Sequence, residues 1–178
     1  MARTTQRDWL NAGLRLLAEV GAAGLTIEAL TALLGITKGS FYHHFGAFQD
    51  FKDALLALFE REGTLDIIAG MEAAGSDSDK LHRLIDVVVG GSSRVEVAVR
   101  AWALRDAEVR VCQERIDARR LAYLRAVCAA LSGDDARGQA MAGVFYALYV
   151  GCQQIVPSIE GEARRRVFEE VIHLYGLS

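Results

Sequence analysis

The sequence predicts an all-α fold. Apolar residues make up 52% of its 178 residues, which is enough for a substantial core. In long stretches rich in alanine and leucine they recur at the three- and four-residue spacing of helices, whereas strand patterns are scarce. Pro157 is the only proline, so little interrupts the helices. These observations together predict about nine helices.

The first helix is predicted over residues 5–20. Thr5 and Asp8 fit a capping box at its start. Gly13 lies on its apolar stripe, where it weakens the helix but lets a neighbour approach closely.

The next two helices are separated by a tight glycine turn. The first covers residues 26–34, and Gly35 stands where a glycine ends a helix in the left-handed conformation. The second covers residues 38–44 and turns inward two aromatic rings four residues apart, Phe41 and Phe45. A threonine that can cap free N–H groups stands at the start of each helix, Thr26 and Thr37.

The remaining chain predicts six longer helices and a second, larger domain. The helices are expected over residues 48–69, 80–89, 95–104, 107–131, 135–156 and 160–175. We expect a domain boundary where the first of these begins, which divides the chain into residues 1–47 and 48–178.

The charge distribution argues against a general nucleic-acid coating protein. The net charge is −3 at pH 7. Residues 1–47 are nevertheless slightly basic: Arg3, Arg7, Arg15 and Lys38 stand against Asp8, Glu19 and Glu28. A favourable charge on one face is sufficient for DNA binding, and the acidic remainder is expected to face elsewhere.

The two helices around Gly35 have the layout of a helix-turn-helix whose second helix enters the DNA major groove. That helix is short, has little apolar surface and carries polar groups that can reach phosphates or base edges. Gly39 lets the backbone approach the bases. The predicted DNA contacts are Thr26, Thr37, Lys38, Gly39, Ser40, Tyr42, His43 and His44. The alternatives are an ordinary helical hairpin, or a hairpin that recognises a protein instead of DNA.

At these residues the chain resembles the TetR family of bacterial transcriptional regulators. The similarity runs from about Thr4 to Leu56, with ITKGSFYHHF as its most specific part. It implies a three-helix DNA-binding domain and a C-terminal helical domain that dimerises and binds a small effector, whose arrival releases operator DNA. The family usually has a phosphate-binding lysine where this chain has Phe48. Lys52, one turn later, is the candidate to replace it.

The helix predicted over residues 135–156 is apolar almost all round and carries a stripe of small residues. We expect it to pair with the last helix and with their copies in a four-helix homodimer interface. The expected interface residues are Gly143, Ala147, Gly151, Phe168, Val171, Ile172 and Tyr175. The alternative is that this helix is the centre of a monomer's core.

The effector site is predicted from aromatic rings with polar tips and from an arginine on an otherwise apolar helix face. The candidates are Trp102, Arg120, Tyr123, Phe145, Tyr146 and Tyr149. Each ring could instead be core. Arg120 could instead form an ion pair with a neighbouring helix, rather than anchor an anionic or polar effector.

No catalytic, cofactor or metal site is expected. Glu170 and His173 have the spacing of half a di-iron site, but a second such pair is missing, so a helical-bundle metalloenzyme is the weaker alternative. The three cysteines lack metal-ligand spacing and are expected to be buried thiols. Neither a signal peptide nor a membrane span is recognisable, which favours a cytoplasmic protein.

Overall fold

The structure is a computed structural model that describes residues 4–73 and 75–177. These residues form α-helices and no strands, which confirms the predicted all-α fold. The helices are α1 (Gln6–Val20), α2 (Ile27–Leu34), α3 (Lys38–His44), α4 (Phe48–Glu60), α5 (Asp66–Glu72), α6 (Asp77–Gly90), α7 (Arg94–Ala103), α8 (Ala107–Ser132), α9 (Asp135–Gln154) and α10 (Gly161–Tyr175).

The helix predicted over residues 48–69 is interrupted. Between α4 and α5 the backbone winds as a π-helix over Arg61–Leu65, which the sequence pattern did not indicate. The buried hydroxyl group of Thr64 lies in this segment. α6 also begins earlier than predicted, because Ser76 and Asp79 form a capping box at its start.

Packing divides the chain into two compact units. Unit 1 comprises the described residues of Met1–Gly63 with Ser93–Glu114, and unit 2 those of Thr64–Ser92 with Arg115–Ser178. In unit 1, α1 packs against α2, α4 and α7. The predicted boundary at residue 47 separates a DNA-binding from a ligand-binding domain, and it stays a prediction. By packing alone, α4 is grouped with the three helices before it.

Close contact in unit 1 depends on Gly13, as its position on the apolar stripe predicts. A Cβ atom there would lie 2.7 Å from Cζ of Phe51 and 3.0 Å from Cδ1 of Leu55, both on α4. The absence of a side chain therefore sets the distance between α1 and α4.

The core of unit 2 is formed by α6, α8, α9 and α10. Its buried residues are Leu81, Ile85, Val89, Leu124, Val127, Cys128, Met141, Ala142, Phe145, Phe168 and Ile172. α9 meets α8 at Gly138, where a Cβ atom would lie 2.5 Å from the backbone of Ala129. The stripe of small residues predicted on α9 lies elsewhere on the helix, at Gly143 and Gly151, where the same test finds nothing within 4 Å.

Candidate nucleic-acid interface

Both ends of α2 carry the predicted caps. Oγ1 of Thr26 accepts a hydrogen bond from the backbone N–H of Ala29 at 3.1 Å. Gly35 is left-handed, with φ of 68°, and the N–H of Ile36 donates to the carbonyl of Thr31 at 3.1 Å. The bond of Thr26 satisfies the start of α2, whereas Gly35 and the bond from Ile36 end α2 and direct the chain into α3 within a few residues.

An aromatic cluster holds α3 in place. Phe41 contacts the ring of Trp9 on α1, with centroids 5.3 Å apart, and that of Phe51 on α4, 5.7 Å apart. Phe45 lies 5.2 Å from Phe51. Since these rings are 0–3% exposed, the inner face of α3 is fixed by unit 1 and its outer face is left for other contacts.

The outer face of α3 carries most of the predicted DNA contacts. Thr37, Lys38, Gly39, Tyr42 and His43 are exposed, and Ser40 and His44 are half-buried. Thr37 occupies the N-cap position, but its side chain makes no capping hydrogen bond. The predicted capping role of this hydroxyl is therefore wrong. It stands at the exposed start of the helix.

Gly39 is not required by the fold. A Cβ atom there would meet only Oγ1 of Thr37, at an ordinary contact distance of 3.7 Å. A helical glycine costs about 1 kcal/mol relative to alanine. Gly39 therefore lowers the stability of α3, although packing within the described chain does not require a glycine there.

Lys38 is not an isolated cation. Its Nζ forms an ion pair with the carboxylate of Glu28 on α2. This hydrogen bond raises the pKa of Lys38 and lowers that of Glu28. The sequence reasoning counted Glu28 only in the charge balance and missed this contact, which the turn geometry creates.

Lys52 does not lie where a phosphate clamp requires it, so that prediction is corrected. The residue is 7% exposed, and its Nζ lies 2.7 Å from both Asp106 Oδ2 and Glu108 Oε2. Burial opposes its charge, but the two carboxylates outweigh burial and raise the pKa of Lys52. Phe48 packs against Phe51 at 5.7 Å, so it extends the aromatic cluster at the position where a lysine was expected.

The predicted effector residues fall into different units. Trp102 belongs to unit 1 and lies 5.6 Å from the Nζ of Lys52, as a cation–π contact. The other candidates belong to unit 2. Trp102 is thus engaged within unit 1.

In unit 2 three of the candidates meet in a polar and aromatic cluster. Nε of Arg120 donates to Oγ1 of Thr64 at 2.9 Å, and its guanidinium lies 5.6 Å from the ring of Tyr149. Tyr146 packs against Tyr149 at 5.8 Å and donates to Asp117 at 2.7 Å. The sequence did not indicate Thr64, since only the π-helical segment brings its hydroxyl group inward.

Phe145 and Tyr123 lie outside this cluster. Phe145 is 2% exposed, and its ring stacks on Phe168 at 6.2 Å. It is a core residue, which corrects its prediction as an effector contact. Tyr123 packs on the same core, and its hydroxyl group is buried without a hydrogen-bond partner in the described part of the chain.

The predicted dimer residues separate into an outer and an inner set. Gly143 and Ala147 are exposed, and Gly151 and Val171 are half-buried. Phe168 and Ile172 are 3% and 6% exposed because they fill the core of unit 2, which corrects their prediction as interface residues. Tyr175 packs on Phe145 at 6.3 Å. Leu174, which the prediction omitted, is 73% exposed on the outer side of α10.

The three cysteines are free thiols and buried, as expected. Burial raises the pKa of Cys128 to about 11. Within residues 4–73 and 75–177, no three His, Cys, Asp or Glu side chains are grouped as metal ligands. None of the described helices combines the length and apolar character that crossing a bilayer requires.

Comparison with known proteins places these features in a family. Residues 10–57 match the family of bacterial regulatory proteins named tetR. The helix-turn-helix transcriptional regulator BetI of Rhizobium meliloti (strain 1021) is 26% identical over 162 residues, which cover 84% of this chain and 78% of that protein.

Two solved structures share the fold over nearly the whole chain. One is a TetR/AcrR family member with a TM-score of 0.81 and 18% identity, covering 96% of this chain and 97% of the other. Another, from Saccharomonospora viridis in complex with choline, has a TM-score of 0.79 and 18% identity, covering 94% and 95%. The family and these relatives are regulators, which confirms the expectation that the chain is not an enzyme. With its helix-turn-helix within the matched residues, the N-terminal region of the chain belongs to the family of bacterial regulatory proteins named tetR.

Proposed function

We propose that the chain is a dimeric repressor that binds a palindromic operator through α3 and is released by a small-molecule effector. The observation that carries DNA binding is Gly39. It weakens a short helix, no internal contact requires it, and it lies beside Lys38 on an exposed face. A missing side chain there allows the backbone to approach base edges closely. This function places the protein in the bacterial cytoplasm, with the chromosome.

The DNA contacts that we propose are Thr26, Thr37, Lys38, Gly39, Ser40, Tyr42, His43 and His44, without Lys52. The test begins with duplexes of about 30 base pairs, long enough for two half-sites one helical turn apart, selected from a random pool by the full-length protein. Selection should yield a palindrome, and affinity should fall steeply with salt.

Gly39→Ala separates the proposed role from stability. We expect a folded variant that is as stable as the wild type or more so, but that binds the selected duplex at least about tenfold more weakly. Gly70→Ala is the matched control, because Gly70 also lies in a helix, and an added Cβ atom there would have nothing within 4 Å. Undiminished DNA affinity of Gly39→Ala would contradict the role of this glycine.

We propose that the dimer forms through the outer faces of α9 and α10. The support is the exposure of small residues on α9, Gly143 and Ala147, and of the apolar Leu174 on α10. A twofold axis there would let two chains read two half-sites. Ala147→Arg should give a monomer by size exclusion with light scattering, whereas Ala130→Arg, on an exposed position of α8, should not. A wild-type monomer at micromolar concentration would refute the proposed dimer.

We propose that the effector binds at the cluster of Arg120, Tyr146 and Tyr149, with Thr64 as a further contact. Two aromatic rings and a guanidinium group suit a small molecule with an acceptor or anionic group. The test measures thermal shift and release of the selected duplex with a panel of metabolites, including choline because a protein of similar fold binds it. Arg120→Ala should still bind the selected duplex, but it should no longer be released from that duplex by the compound that releases the wild-type protein. A full response in Arg120→Ala would reject Arg120 as the anchor.

A further inference from the structure

An acidic side chain lies on the face of the protein that is proposed to meet DNA. Glu28 is in the first turn of α2, and its carboxylate pairs with Lys38, the first residue of α3. The two side chains are 65% and 58% exposed. Both groups are ionised at neutral pH, and the hydrogen bond between them lowers the pKa of Glu28 and raises that of Lys38.

The position of this pair is unfavourable for general attraction to DNA. Binding without sequence preference depends on cations that meet phosphates. Glu28 pairs with the only lysine of α3 and so adds a negative charge beside the start of that helix. Because an ion pair between exposed side chains is weak, Lys38 can exchange partners and is not permanently blocked.

We propose that Glu28 is a specificity-determining residue, which acts by holding Lys38. On arbitrary DNA, each contact from Lys38 to a phosphate must replace the contact to Glu28, so affinity is reduced. On the operator, Lys38 reaches a base edge, where guanine offers two acceptors and the position of the ammonium group matters more than its net charge. Contact with Glu28 would orient the ammonium group for that base edge. This inference rests on the proposed entry of α3 into the major groove.

The test compares wild type with Glu28→Gln on two probes. One is the selected duplex and the other is a scrambled duplex of equal length and base composition. The variant should bind the scrambled duplex at least about threefold more tightly, with a smaller gain or none on the selected duplex, so the specificity ratio falls. Circular dichroism checks the fold, and Glu28→Ala repeats the measurement.

Glu19→Gln is the matched control, because Glu19 pairs with Arg15 on the exposed side of α1 and its substitution changes the net charge equally. It should leave the ratio unchanged. In a Lys38→Ala background the effect of Glu28→Gln should disappear, because the mechanism acts through Lys38.

The outcomes separate this inference from the proposed function. A wild-type protein that binds no duplex refutes both. If the wild-type protein binds the selected duplex, and Lys38→Ala binds it more weakly, the result supports the proposed function. If Glu28→Gln then behaves like Glu19→Gln, or keeps its effect without Lys38, the inference about Glu28 is overturned.

Discussion

Nζ of Lys52 lies 2.7 Å from Oδ2 of Asp106, between α4 and the turn before α8. The other oxygen of Asp106 accepts hydrogen bonds from the N–H groups of Glu108 and Val109, at 3.1 and 3.2 Å. One carboxylate therefore caps α8 and neutralises a buried ammonium group. This contact connects α4, the helix that follows the helix-turn-helix, to the start of α8 within unit 1.

Lys52→Met should destabilise the protein by about 2 kcal/mol, since it leaves Asp106 and Glu108 as two close carboxylates without their cation. The measurement is urea unfolding followed by circular dichroism at neutral pH. Lys38→Met, which removes an exposed lysine, should leave the free energy of unfolding nearly unchanged. Equal effects of the two substitutions would show that burial of Lys52 contributes nothing particular.

The same pair should give an acid-sensitive contribution to stability. The hydrogen bond from Lys52 is the main cause that lowers the pKa of Asp106 below its usual 3.8. A carboxyl group with a lowered pKa stabilises the fold above its unfolded value, and this contribution is lost as pH falls through the folded value. Lys52 stays charged throughout, because its pKa is raised. The stability difference between wild type and Asp106→Asn should thus be constant near neutral pH and shrink below about pH 4. A difference that is unchanged at acid pH would contradict this assignment.

Gly13→Ala should destabilise unit 1 although alanine favours helices. The added Cβ atom would lie 2.7 Å from the fully buried ring of Phe51, so the ring or the helix must shift. Overpacking of this kind costs about 1–3 kcal/mol, more than the gain of about 1 kcal/mol in helix propensity. Thermal unfolding of Gly13→Ala and Gly70→Ala should shift in opposite directions. A raised melting temperature in both would mean that α1 and α4 separate without cost.

Arg164→Lys should be unexpectedly costly for a conservative substitution. Arg164 is 1% exposed, and it donates to the carbonyls of Val88 at 2.7 Å and Ile159 at 2.9 Å. A lysine cannot reproduce two bonds from a planar fork, so we expect a loss of about 1–3 kcal/mol in urea unfolding. Arg166→Lys, at an exposed position of the same helix, serves as the control and should be neutral. The expectation fails if the two variants are equally stable.

The sequence by itself determined the helical fold and the helix-turn-helix around Gly35. The local signals were sufficient because caps, glycine stops and helical periodicity act within a few residues. Thr26, Gly35, Phe41 and Phe45 all lie as those signals predict.

Only the tertiary structure decided which side chains are exposed for binding and which are buried or paired within the protein. Lys52 looked like a surface cation, but contacts more than fifty residues away in sequence bury it against Asp106. The periodicity of α10 marks Phe168 and Val171 alike as apolar, and packing alone determines which of them fills the core. The contacts of Glu28 with Lys38, and of Thr64 with Arg120, likewise depend on a turn and a π-helical segment that bring distant side chains together. Burial and ion pairing arise from the packing of whole helices, so a linear pattern cannot assign them.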